Sequence, residues 1–215
     1  FSHILYDTLF FFGKDLFDSH VDWLIETVRA ACRNSDVDWL IKVHPSNIWR
    51  GELNVGNKNL YEEERLIETN FGKLPPHVKV VHADNGINPY TWFQMADYCI
   101  TVRGTAGLEM AALGKTTIVA GTGRYENIGF TVNPATRDDY IKTLENLCTL
   151  PDMTPEQRTL AARYAHALFV LKPIEFDFID CELRSGKTHM MASDDIAYYP
   201  TELKEPVLPG NLKQI

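Results

Sequence analysis

Strand-like and helix-like segments alternate about five times along the first 172 residues, and this constrains the chain more than any other feature. Short apolar, β-branched runs are each followed by a stretch with a 3.6-residue apolar period. Val37–Val43, Val78–Val81, Tyr98–Val102 and Thr116–Ala120 read as strands. A further strand, or strand plus loop, is expected over Ile4–Phe12. Between them, Val21, Leu24, Ile25, Val28 and Ala31 or Cys32 share one helical face behind a cap at Asp18 or Ser19. Helices are also expected over Tyr61–Phe71, Pro89–Ala96, Thr105–Leu113, Arg137–Leu147 and Pro155–Leu171. Such an alternation predicts an α/β domain, a doubly wound parallel sheet of Rossmann-like type. Ser46–Asn59 and Gly121–Gly129 read as loops. After Pro173 the alternation stops, so 1–172 is expected to be one nucleotide-binding-type domain and 173–215 a tail that packs on something else.

Composition narrows the partners. Of 215 residues 45% are hydrophobic, enough for a core, and the net charge is −8. That charge disfavours nucleic acid or an anionic membrane as the main partner. Membrane association is expected to be peripheral at most, since no apolar run approaches the ~20 residues of a span. The first residue is Phe1, with no basic leader behind it, and the chain reads as part of something longer. Cys32, Cys99, Cys148 and Cys181 form no C-x-x-C pair, which argues against a metal or redox site and suits a reducing cytoplasm.

In parallel α/β sheets ligands bind beyond the carboxyl ends of the strands, so the informative loops follow Val43, Val81, Val102 and Ala120. The most specific is Val102-Arg103-Gly104-Thr105-Ala106-Gly107-Leu108-Glu109. Gly104 permits a sharp turn, and Thr105 and Ala106 present amides at a helix N-terminus suited to an anion. Glu109, one turn on, can accept hydrogen bonds from a ribose diol. The alternative is a plain capped turn with a solvated acid. Lys42-Val43-His44-Pro45 places a cation and an imidazole at another strand end, where either binds a phosphate oxygen or merely ends the strand. In Gly121-Thr122-Gly123-Arg124-Tyr125, Arg124 offers a fork for phosphate, Tyr125 a ring to stack on a sugar, and Gly123 the freedom of a lid. Arg103 adjoins the phosphate turn, and His82 and Asp84 border a candidate base pocket. Glu62–Glu64 reads as a solvated helix start that suits the helix dipole.

Thr101 to Thr131, with Lys42-Val43-His44-Pro45 upstream, resembles the carboxyl-terminal, donor-binding half of GT-B glycosyltransferases of capsular and surface-polysaccharide biosynthesis. The closest flavour is the group related to bacterial Kdo transferases. The G-T-x-G-x-E block is shared with sugar-nucleotide 2-epimerases. The resemblance implies a nucleotide-sugar donor, CMP-Kdo-like in preference, and a saccharide acceptor. By that analogy His44 and the turn Gly104, Thr105 and Ala106 would hold the phosphate, and Glu109 the ribose. The residues themselves add Arg103 and Arg124 to the phosphate site, and Lys42, Gly123 and Tyr125 beside the sugar. The resemblance implies no essential bound metal or other cofactor, catalytic groups in an absent amino-terminal domain, and a cytoplasmic site at the inner membrane face. Arg103 departs from the small hydroxyl residue common before this glycine, and Thr116 from the proline common after G-K, which leaves the donor open.

Overall fold

The computed structural model describes residues 1–2, 16–44, 62–173, 179–185 and 196–203, and the expected Ile4–Phe12 strand and Ser46–Asn59 loop lie outside them. The chain divides into two compact units, Phe1–Ala165 and His166–Ile215. The division falls a few residues before the expected boundary at 172.

The first unit is mixed α/β. Its elements are α1 (His20–Arg33), β1 (Trp39–Lys42), α2 (Glu62–Phe71), β2 (Val78–Val81), α3 (Pro89–Met95), β3 (Tyr98–Thr101), α4 (Thr105–Ala112), β4 (Thr116–Val119) and α5 (Arg137–Glu145). A 3-10 turn at Leu147–Thr149 and α6 (Pro155–His166) follow. Local chemistry sets several boundaries. The Ser19 hydroxyl accepts the Asp22 amide and caps α1. Asn88 caps α3 ahead of Pro89 at its first position. Thr154 and Gln157 form a reciprocal capping box at the start of α6, and at the start of α5 the Thr136 hydroxyl accepts the Asp139 amide and donates to the Asp139 carboxylate. Gly114, at φ +84°, takes up the left-handed conformation just past α4, where a side chain would be strained.

β1 pairs with β2 and β3 with β4, each pair parallel with a helix between its strands in sequence. Among the described residues they form two two-stranded sheets, and the continuous sheet expected is not seen there. Residues 1 and 2 lie between them. The Ser2 amide donates to Lys42 O at 3.0 Å, and the Phe1 nitrogen to Ile100 O at 2.9 Å. Beyond β4, Val132 adds a single parallel bridge to Ile118.

The main core joins α1, α5 and the inner face of the sheets. Trp23, Leu24 and Val28 meet Tyr140, Leu144, Ile118 and Val102. Tyr140 is wholly buried, and the Trp23 indole donates to its hydroxyl at 2.8 Å. That bond removes the penalty of about 1–3 kcal/mol for an unsatisfied buried hydroxyl. Outside the core, Arg137 bridges both Asp22 carboxylate oxygens at 3.0 Å and covers the Phe17 ring. A second cluster holds Phe93, Cys99 and Met110, with the Phe1 ring edge-on to Phe93.

The second unit carries a π-helical turn, Ala167–Leu171, and an antiparallel pair, β5 (Ile179–Ser185) with β6 (Ile196–Leu203). Sequence reading gave this stretch no regular structure. β6 contains Pro200, but in β5 Ile179, Cys181 and Leu183 alternate with Asp180, Glu182 and Arg184, a strand period that reading missed. No helix among the described residues is long and apolar enough to cross a membrane.

Candidate functional site

The two parallel pairs are tied at their carboxyl ends, since Ser2 and Phe1 bond Lys42 and Ile100. The loops after β1 and β3 therefore meet at one edge, and those after β2 and β4 leave the same ends of their sheets.

The turn from β3 into α4 leads into a helix start that has no side-chain cap. The Gly104 amide donates to Thr101 Oγ1 at 3.2 Å, and the Gly107 amide to Gly104 O at 3.0 Å. Gly104 is the residue before the first helical position, and no side chain caps the helix. Thr105 is exposed, Ala106 half-buried, and Glu109 half-buried one turn further on. Uncapped amides at the positive end of a helix dipole are an anion-binding arrangement. Gly104 sits at φ −65°, ψ 149°, which any residue adopts, so the expected need for glycine freedom there is not met. The demanding position is Gly107. A Cβ there would lie 2.9 Å from Thr101 Cγ2 and would clash with the Tyr125 hydroxyl.

The glycine-rich loop after β4 folds onto this turn. The Tyr125 hydroxyl donates to Gly104 O. Gly123 lies against Arg103, where a Cβ would come within 3.0 Å of Arg103 Cβ. The Glu126 carboxylate accepts the Gly123 amide at 2.7 Å and braces the loop. Tyr125 is only 3% exposed and stacks on Phe130, which contacts Tyr164. Its ring is thus an internal anchor, not the exposed platform for a sugar that the sequence suggested. Burial pushes its phenol well above the ordinary range, so it remains a neutral donor. Arg124 is exposed on the loop, and its carbonyl accepts the Tyr164 hydroxyl.

The β1 end is built differently. Lys42 is buried, and its ammonium donates to the carbonyls of Val43, His82 and Ala83 at 3.1, 3.2 and 3.4 Å. All three protons are used inside the protein, so Lys42 clamps the ends of β1 and β2 rather than reaching for a sugar. Burial lowers its pKa, partly offset by Asp84. The half-buried His44 gives its amide to Ser2 Oγ at 2.9 Å. His82 and Asp84 are exposed on the loop after β2. The His82 ring is not open on both sides, because its Nδ1 lies 2.7 Å from the Glu64 carboxylate.

Sequence reading missed a pair of carboxylates at this end. Glu63 and Glu64 were expected to be solvated, yet they are 0% and 5% exposed. Ser2 Oγ donates to Glu63 at 3.3 Å. The available signal was Glu63 standing four residues before the buried Ile67, on one helical face. The dipole argument for the Glu run remained sound, but it says nothing of burial.

Among the described residues no group of three or more His, Cys, Asp or Glu side chains is placed to hold a metal ion. A cavity of about 600 Å³ lies between β1 and β3, and of the predicted site residues Lys42 alone is among its lining. No family model matches this chain, and no curated protein or solved structure is measurably similar to it.

Proposed function

We propose that the unit Phe1–Ala165 is the nucleotide-sugar-binding half of a glycosyltransferase, doubly wound in its complete form, that acts on a surface polysaccharide at the cytoplasmic side of a membrane. A CMP-activated, Kdo-like donor is favoured. The observation that carries this reading is the uncapped start of α4, with Thr105 exposed at the carboxyl end of β3. Its amides, with Arg103 beside them, suit the donor phosphate. Glu109, on the same helix, suits the ribose. His44 and the exposed Arg124 supply further donors from neighbouring loops.

Bond cleavage places negative charge on the departing nucleotide phosphate. Donors fixed in advance stabilise that charge without having to reorganise. The role asks for no bound metal, and the acceptor-activating group belongs to the partnering amino-terminal domain. Glu109→Ala in the full enzyme tests the assignment: nucleotide affinity falls, whereas unchanged affinity removes the ribose role.

One observation favours a second reading. The buried Glu63 and Glu64 stand near the same edge, and a sugar-nucleotide 2-epimerase needs carboxylates for elimination. Incubation with UDP-GlcNAc and no acceptor separates the two, since an epimerase alters the donor sugar by itself. A noncatalytic nucleotide-binding module would bind the nucleotide and turn over no donor.

A further inference from the structure

The cavity of about 600 Å³ between β1 and β3 has the features of an empty strand position. β1 turns the amides of Trp39 and Val43 toward β2, where they bond His77 O and Val81 O. Strand alternation therefore turns the polar groups of Leu40 and Lys42 the other way, into the cavity. The Lys42 carbonyl accepts Ser2 from that side. On β3, Thr101 faces β4 through the Ala120 amide, so Tyr98 and Ile100 face the cavity. The Ile100 carbonyl accepts Phe1 there. Consecutive nitrogens at 1 and 2 thus bond opposite neighbours, which is the pattern of a strand held between two others.

The side chains agree. Leu40 and Met95 line the cavity and remain 41% and 64% exposed, although each stands in a regular element. Trp23 and Val28 of α1 line it too. In sequence α1 stands between Ser2 and β1, the place of a crossover helix if residues 1 and 2 end a third parallel strand. The Phe1 nitrogen is buried, and burial lowers its pKa. An amide at that point makes the same bond to Ile100 without bringing a charge inside.

We propose that the cavity is filled by the polypeptide directly upstream of Phe1, as a parallel strand of about four residues, the length of β1 and β3. It joins the two sheets into one of at least five strands. Being covered by helices, it is apolar on both faces. This inference rests on backbone geometry and is independent of the ligand.

The test uses the intact protein beside a chain that starts at Phe1. Residue-resolved hydrogen exchange at Leu40, Lys42 and Ile100 is expected to be at least about a hundredfold slower in the intact protein. Leu40→Lys should lower the intact protein's Tm by about 6 °C or more, and that of the shorter chain by under about 2 °C. Equal exchange in the two, or an equal Tm loss, overturns the proposal. So does protection that depends on protein concentration in step with dimer formation, which would put a second copy in the cavity. If the shorter chain does not fold, the intact protein decides alone. Exchange near the unprotected rate at those three amides then refutes the strand.

Discussion

The turns that leave β1 and β3 offer the same residue types to an anion, yet they use them in opposite ways. At β1 the Lys42 ammonium and the His44 backbone amide are turned inward. Lys42 serves three carbonyls, and the His44 amide serves Ser2. At β3 the carbonyl of Gly104 is consumed by Gly107 and Tyr125, while the helix start has no side-chain cap. The lesson is that a basic residue near a strand end is a ligand group only if the fold leaves its protons unused. A motif counts residue types; a site depends on which donors remain.

That contrast can be broken experimentally, beginning at the β1 end. Lys42→Met should destabilise the protein by about 3 kcal/mol, because three inward carbonyls lose their donor. Nucleotide affinity in the folded fraction should stay unchanged. A variant as stable as the wild type in denaturant titration would show that the clamp is dispensable. At the β3 end, Gly107→Ala should cost about 2 kcal/mol by overpacking against Thr101 and Tyr125. Restoring that stability with Tyr125→Phe in the same background would confirm which neighbour resists the new methyl.

Cys99 gives a smaller effect, read by pH. It is 1% exposed, and burial pushes its thiol up to about 11 from an ordinary value near 9. Between those values the unfolded chain has released the proton and the folded chain has kept it. Stability therefore falls as pH rises through that window, by on the order of 1 kcal/mol per unit. The contribution is fully present below pH 9. Cys99→Ala should flatten this slope in melting curves taken from pH 8 to 10.5, and an unchanged slope would remove Cys99 as its source.

Much of the frame was legible in the sequence. The four observed strands of the first unit each fall inside the expected runs, and β2 matches its run end to end, because short β-branched segments bounded by helix periods leave few alternatives. Ser19 caps α1 as the local sequence suggested, whereas the Thr136 cap of α5 was not singled out from the sequence. The division of the sheet was not legible, since it depends on what lies between β1 and β3 and not on any run of residues. The inward roles of Lys42, Tyr125, Glu63 and Glu64 were hidden for a related reason. Polar side chains at strand ends and helix starts look alike until burial is known. Gly107, which reads as a mere spacer in G-T-A-G, proves the tightest of the described glycines only once Tyr125 is seen folded against it.

The central claim is that the uncapped start of α4 holds a nucleotide phosphate, and Thr105→Pro tests it most directly. Proline suits the first helical position, and the preceding Gly104 is already extended, so stability should change by less than about 0.5 kcal/mol. The substitution removes the backbone donor of Thr105 together with its exposed hydroxyl, and Thr105→Val, which keeps the amide, separates the two. Calorimetric titration of the intact protein with CMP and UDP should show binding, with CMP tighter, and a loss of about tenfold in affinity in the variant. Equal affinity in the two proteins, or no heat with either nucleotide, would contradict the account.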